Sequence, residues 1–131
     1  MTIAEWMLFA TVLLYLLTVA PVKAFSAFSR PRFDNANPRD LAFYTPGIRA
    51  RALGAHLNGI EVFPFFAAAV LLAEFRMAPQ SLIDKLAIAF VVVRLFFVLA
   101  YIGNYSTVRT LLWNLAFLIN VAIFFMPWWA L

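Results

Sequence analysis

The stretch LIDKLAIAFVVVRLFFVLAYI, residues 82–102, is an apolar run with one arginine, Arg94, set near its middle. A helix rising about 1.5 Å per residue needs about 20 residues to cross the roughly 30 Å hydrocarbon core of a bilayer, and this run is long enough. Three further stretches behave alike, so spans are expected at about 3–22, 47–76, 82–102 and 109–130. Strands would leave backbone groups unpaired in lipid, and these runs lack the alternation of a barrel wall. The fold class is therefore all-α, an integral membrane four-helix bundle.

Composition agrees. Of 131 residues 66% are hydrophobic and 12% charged, with a mean hydropathy of +0.92, more apolar surface than a water-soluble domain of this size can bury. Four glycines and seven prolines are too few for a collagen-like or low-complexity chain. The absence of cysteine excludes disulfides, thiolate metal sites and a cysteine nucleophile, so any thiol chemistry must use an external thiol. The net charge of +4 arises from residues flanking the spans, which points to membrane lipid or an anionic substrate and away from nucleic acid.

The first span carries Glu5 and no basic residue at its start, and its apolar run exceeds a signal-peptide core, so it reads as a transmembrane helix. Lys23, Arg30, Arg32, Arg39, Arg49 and Arg51 cluster between spans one and two, against Arg76 and Lys85 in the next connection and Arg109 in the third. The positive-inside rule then places loop 23–46 in the cytoplasm and both termini on the far side, where Trp6, Trp128 and Trp129 fit an aromatic belt. For a bacterial chain that membrane is the inner one. The loop's FDNANPRD segment reads as ordered turns, and Pro64 should kink helix two.

Ionisable side chains at membrane depth cost at least about 2.5 to 3.5 kcal/mol on insertion scales, so each needs a partner or a wet cavity. Arg51, Asn58 and Glu61 share one face of helix two, with His56 pointing elsewhere; Arg94, Tyr101 and Tyr105 form a second stripe. On one reading Glu61 and Arg94 pair across the bundle and fix its register, with Asn58 as interhelical glue. On the other, both stripes line a pocket in which Arg94 takes a carboxylate and Glu61 an ammonium. Arg109 is either an interface anchor or a cap on that pocket. Asn114 and Asn120 read as helix-packing hydrogen bonders, and Glu74, Arg76, Asp84 and Lys85 as solvated interface charges. His56 has no companion ligands, so no metal site is expected, and neither a Ser-His-Asp set nor a phosphate loop occurs.

These residues carry a resemblance. RALGAHLNGIEVFPFF is similar to the helix-two signature of the MAPEG superfamily, the membrane-associated proteins in eicosanoid and glutathione metabolism, through Asn58, Glu61 and Pro64. RLFFVLAYIG resembles its helix-three signature through Arg94, Tyr101 and Gly103, and the NPRD loop, ending at Asp40, resembles the loop of the prostaglandin E synthase branch. His56 matches a histidine of that branch.

The resemblance, to a bacterial-type member, implies a homotrimer that binds glutathione as cosubstrate between subunits on the cytoplasmic side. Asn58, Glu61 and Arg94 would contact it, Tyr101 would line the site and Arg109 would stabilise its thiolate; Arg51 and Tyr105 join the binding set from the stripes, and Asp40 is a possible loop contact. Relatives have arginines where Gly54 and Leu57 stand, and some have tyrosine at Val62. The expectation is a glutathione-dependent membrane transferase or peroxidase acting on lipophilic small molecules that are electrophiles. The alternatives are a non-catalytic scaffold or assembly subunit, which Gly54, Leu57 and Val62 favour, and a lipid-binding protein using Arg94 for a fatty carboxylate.

Overall fold

The computed structural model describes residues 1–45 and 47–130, and their regular structure is entirely helical. Helix α1 spans Ile3–Phe25, followed by a 3₁₀ turn at Ser26–Phe28, then α2 at Leu41–Tyr44, α3 at Ile48–Phe75, α4 at Gln80–Ile102, α5 at Ser106–Phe124 and α6 at Met126–Trp129. Helices α1, α3, α4 and α5 are each long and apolar enough to cross a membrane. Their outward faces carry Phe9, Leu16, Leu17, Leu95, Phe96, Leu99, Leu111 and Leu118, all exposed and suited to lipid.

Helix ends follow from local chemistry. Thr2 and Glu5 form a reciprocal capping box at the start of α1, which runs through Pro21 past the expected end at residue 22. Gly47 precedes α3 with φ +82, a conformation that costs glycine nothing. Helix α3 continues unbroken through Pro64. Met77 and Asn104 adopt left-handed backbone where α3 and α4 stop, and Ala78 N–H donates to Ala73 O and Tyr105 N–H to Ala100 O, closing each helix with a Schellman pattern. The expected single helix over 109–130 instead divides at Phe125, because Pro127 has no N–H to continue the ladder.

The interior is filled where α3 and α4 meet: Phe66 and Phe90 stack at 3.9 Å between ring centroids, amid Val70, Ala73, Ile83, Ala87 and Ile123. Glu74 and Asp84 are not simply solvated, as the sequence suggested. Thr2 Oγ donates to Glu74 Oε1 at 2.7 Å, and Ala4 N–H donates to Asp84 Oδ1 at 2.9 Å, so the two carboxylates hold the first turn of α1 against α3 and α4. At the other end Arg49 donates to Pro31 O, Phe43 O and Ser29 Oγ, ordering the long loop over α3.

Candidate functional site

Arg94 is fully buried. Its Nη2 donates to Asn58 Oδ1 at 2.9 Å, and its guanidinium lies 4.0 Å from the centroid of Phe97 and 5.7 Å from that of Tyr15. Aromatic faces and one amide thus surround the cation. Its Nε and Nη1 have no hydrogen-bond partner among the described residues, although a guanidinium offers five donors. No ion pair joins Glu61 to Arg94: Asn58, one turn nearer the loop, takes the guanidinium, while Glu61 is exposed. Arg94 therefore ties α4 to α3 through Asn58, and Glu61 lines an adjoining cavity without pairing to it.

Two cavities of about 250 Å³ each adjoin this pair between α3, α4 and α5. The first is lined by Asn58, Glu61, Val62, Phe65, Arg94, Trp113, Ala116, Phe117 and Asn120. Phe97, Tyr101, Arg109 and Thr110 line the second, which shares Asn58 and Trp113 with the first. Arg109 places its guanidinium 4.4 Å from the Tyr101 ring centroid, so a half-buried cation borders the second cavity. The Tyr101 phenol lies against bare backbone at Gly54, where a Cβ would sit 2.8 Å from Tyr101 Cζ. A larger side chain at residue 54, arginine included, therefore requires the phenol to move.

Asn58, Glu61, Arg94, Tyr101 and Arg109 are accordingly brought together, with Asn58 common to both cavities. Arg51, Tyr105 and Asp40 line neither. Arg51 Nε donates to Ile102 O at 2.7 Å and satisfies a terminal carbonyl of α4. Tyr105 is exposed and immediately precedes α5, and Asp40 caps α2 through Ala42 N–H.

His56 faces away, its Nδ1 2.8 Å from Tyr15 O, and lines a separate cavity of about 580 Å³ with Lys23, Arg39, Tyr44 and Leu57. Among the described residues no cluster of metal-ligating side chains occurs.

The sequence reading missed Trp113, Thr110 and Asn120 as lining residues, and Tyr15 as the second ring beneath Arg94. Trp113, Ala116, Phe117 and Asn120 recur at helical spacing on one face of α5, a signal masked because phenylalanine, leucine and tryptophan occur all round that helix. Asn114 donates within its own helix to Thr110 O, whereas Asn120 is buried with neither amide atom hydrogen-bonded among the described residues.

A four-helix integral membrane bundle with a buried arginine–asparagine pair beside paired interhelical cavities defines the class. The model of the MAPEG family matches residues 3–129, nearly the whole chain, and the protein belongs to that family. Neither the curated proteins nor the solved structures contain a match to it.

Proposed function

We propose that this protein is a glutathione-dependent transferase or peroxidase acting on lipophilic electrophiles that reach it from the bilayer, and that it works as a homotrimer with loop 23–46 in the cytoplasm. The observation that carries this reading is the junction at Asn58, which lines both a cavity bordered by the Arg109 cation and one lined by Glu61 and by Arg94, two of whose donors are unpaired among the described residues. A zwitterionic peptide with a thiol matches that donor set: Arg94 offers Nε and Nη1 to a carboxylate, Glu61 accepts from an ammonium, and Asn58 can do either.

Glutathione, when bound, supplies the sulfur nucleophile. A free thiol has a pKa near 8.5, and the Arg109 guanidinium favours its ionised form, all the more where the surroundings exclude water. Tyr101 holds Arg109 in place through its ring and turns its hydroxyl towards Gly54. Trp113 lines both cavities and offers an apolar surface suited to an electrophile. Membership of a glutathione- and eicosanoid-related family supports the same reading.

A second reading has a specific observation behind it. Gly54 and Leu57 provide no guanidinium, and each charge-assisted hydrogen bond they forgo is worth about 1.5–3 kcal/mol. A non-catalytic scaffold would keep the fold and dispense with those contacts.

The test is thiolate absorbance of glutathione titrated with the purified protein, alongside conjugation of a dinitrophenyl halide. The transferase reading predicts a thiolate band in the wild type, diminished with turnover in Arg109→Ala. A wild type with neither band nor turnover leaves the scaffold.

A further inference from the structure

The cavity of about 580 Å³ between α1, α2 and α3 has no part in the reading above, and it shares no lining residue with the two at Asn58. Its rim holds Lys23, in the last turn of α1, and Arg39, just before α2, and no carboxylate lines it. Among the described residues neither cation is ion-paired. The carboxylates of the loop are engaged in turns, Asp34 accepting from Ala36 N–H and Asp40 from Ala42 N–H. Lys23 Nζ lies 4.8 Å from the centroid of Phe33, which tethers the ammonium to the loop, and the Tyr44 hydroxyl donates to Pro38 O beside Arg39. Below the rim the wall is apolar, with Val19, Leu53, Leu57 and Ile60. From Leu53 to Ile60 helix α3 rises about 10 Å, against about 15 Å for half of the hydrocarbon core. Leu57 and Ile60 are half exposed, so a chain in the bilayer can reach that wall.

We infer that this cavity seats an anionic phospholipid, with its headgroup phosphate at Lys23 and Arg39 and one acyl chain along Val19, Leu53, Leu57 and Ile60. A soluble anion would use only the rim and a neutral lipid only the wall, whereas an anionic phospholipid uses both. The rim offers no carboxylate to a choline or ethanolamine cation, which sets an acidic headgroup above a zwitterionic one. Its leaflet is the cytoplasmic one on the orientation proposed above; the binding itself depends neither on that orientation nor on glutathione.

The test is native mass spectrometry of the full chain, released from detergent after titration with phosphatidylglycerol or phosphatidylcholine, without glutathione. Phosphatidylglycerol should saturate at one molecule per protomer and bind about thirtyfold more tightly than phosphatidylcholine, the worth of two basic groups at an anionic surface. Lys23→Gln/Arg39→Gln should bring the two lipids to within about twofold, whereas Arg30→Gln/Arg32→Gln, which removes the same charge from the loop outside the cavity, should keep the preference. Leu57→Trp, which fills part of the apolar wall, should weaken phosphatidylglycerol several-fold with both cations in place. No preference in the wild type, equal loss in the two double variants, or indifference to Leu57→Trp would overturn the proposal. Displacement of the lipid by millimolar glycerol 3-phosphate would overturn it too, in favour of a site for soluble phosphates. Should Lys23→Gln/Arg39→Gln not fold, Arg39→Gln alone, at an exposed position, should still cut the preference about fivefold, and an unchanged preference would count against the proposal.

Discussion

Replacing Gly59 by alanine separates packing from helix propensity. Gly59 is buried in α3 against α1, and a Cβ built there would meet the ring of Tyr15, 2.6 Å from Cγ and 2.5 Å from Cε1. The clash is with the body of a ring that has little room to move: Tyr15 is 4% exposed, its carbonyl oxygen lies 2.8 Å from His56 Nδ1, and its face is turned to Arg94. In an open helix the change would stabilise by about 1 kcal/mol. Overpacking a filled interior costs about 1–3 kcal/mol, and the ring contact puts this site at the upper end, for a net loss of about 2 kcal/mol.

In a Tyr15→Ala background the space is open, so Gly59→Ala should there recover its gain of about 1 kcal/mol, giving a coupling of about 3 kcal/mol. Gly54→Ala is the internal contrast. Its Cβ meets only the tip of Tyr101, which is half-exposed and can swing, so stability should stay within about 1 kcal/mol of wild type while the second cavity changes shape. The assay is denaturant unfolding in detergent of all four members of the cycle and of Gly54→Ala. A Gly59→Ala protein as stabilised in the wild-type background as in Tyr15→Ala would refute the packing argument.

Asn58→Leu removes the one hydrogen bond that Arg94 makes among the described residues and should destabilise by about 1.5–3 kcal/mol, and adding Arg94→Met should restore much of that, because a buried apolar pair avoids the unpaired charge; the same unfolding assay checks both. Asp84→Leu releases Ala4 N–H and should cost about 1 kcal/mol, seen as faster amide exchange confined to the first turn of α1. Reporter fusions in the loop near Asn35 and after residue 131 should place the loop in the cytoplasm and the C-terminus outside; a cytoplasmic C-terminus would overturn the orientation.

The spans could be read in the sequence because bilayer thickness sets one length scale and lipid leaves the backbone no alternative to a helix. Helix ends were less legible: the break at Phe125 needed Pro127 to be weighed against an otherwise continuous apolar run, and α1 passes through Pro21. The polar stripes drew attention to Asn58 and Arg94, which the fold joins by a hydrogen bond, but charge alone suggested Glu61 as the partner, where reach and register selected the neutral amide. Arg51 shares the face of Asn58 by spacing, yet it lies at the end of α4 and caps Ile102, a use that periodicity does not show. Glu74 and Asp84 read as solvated charges because their partners, Thr2 and the backbone of Ala4, are distant in sequence. The closeness of Gly54 to Tyr101 belongs to the same class, since a missing side chain carries meaning only once the neighbouring helix is placed.

Calorimetric titration of glutathione into the purified, detergent-solubilised protein tests the central claim most directly. The site at Asn58 predicts saturable heat in the wild type, loss of binding in a folded Asn58→Leu/Arg94→Met protein, and retention of much of it in Arg109→Ala, whose part is to hold the ionised sulfur. No heat at millimolar glutathione, or undiminished binding by the folded double variant, would contradict it.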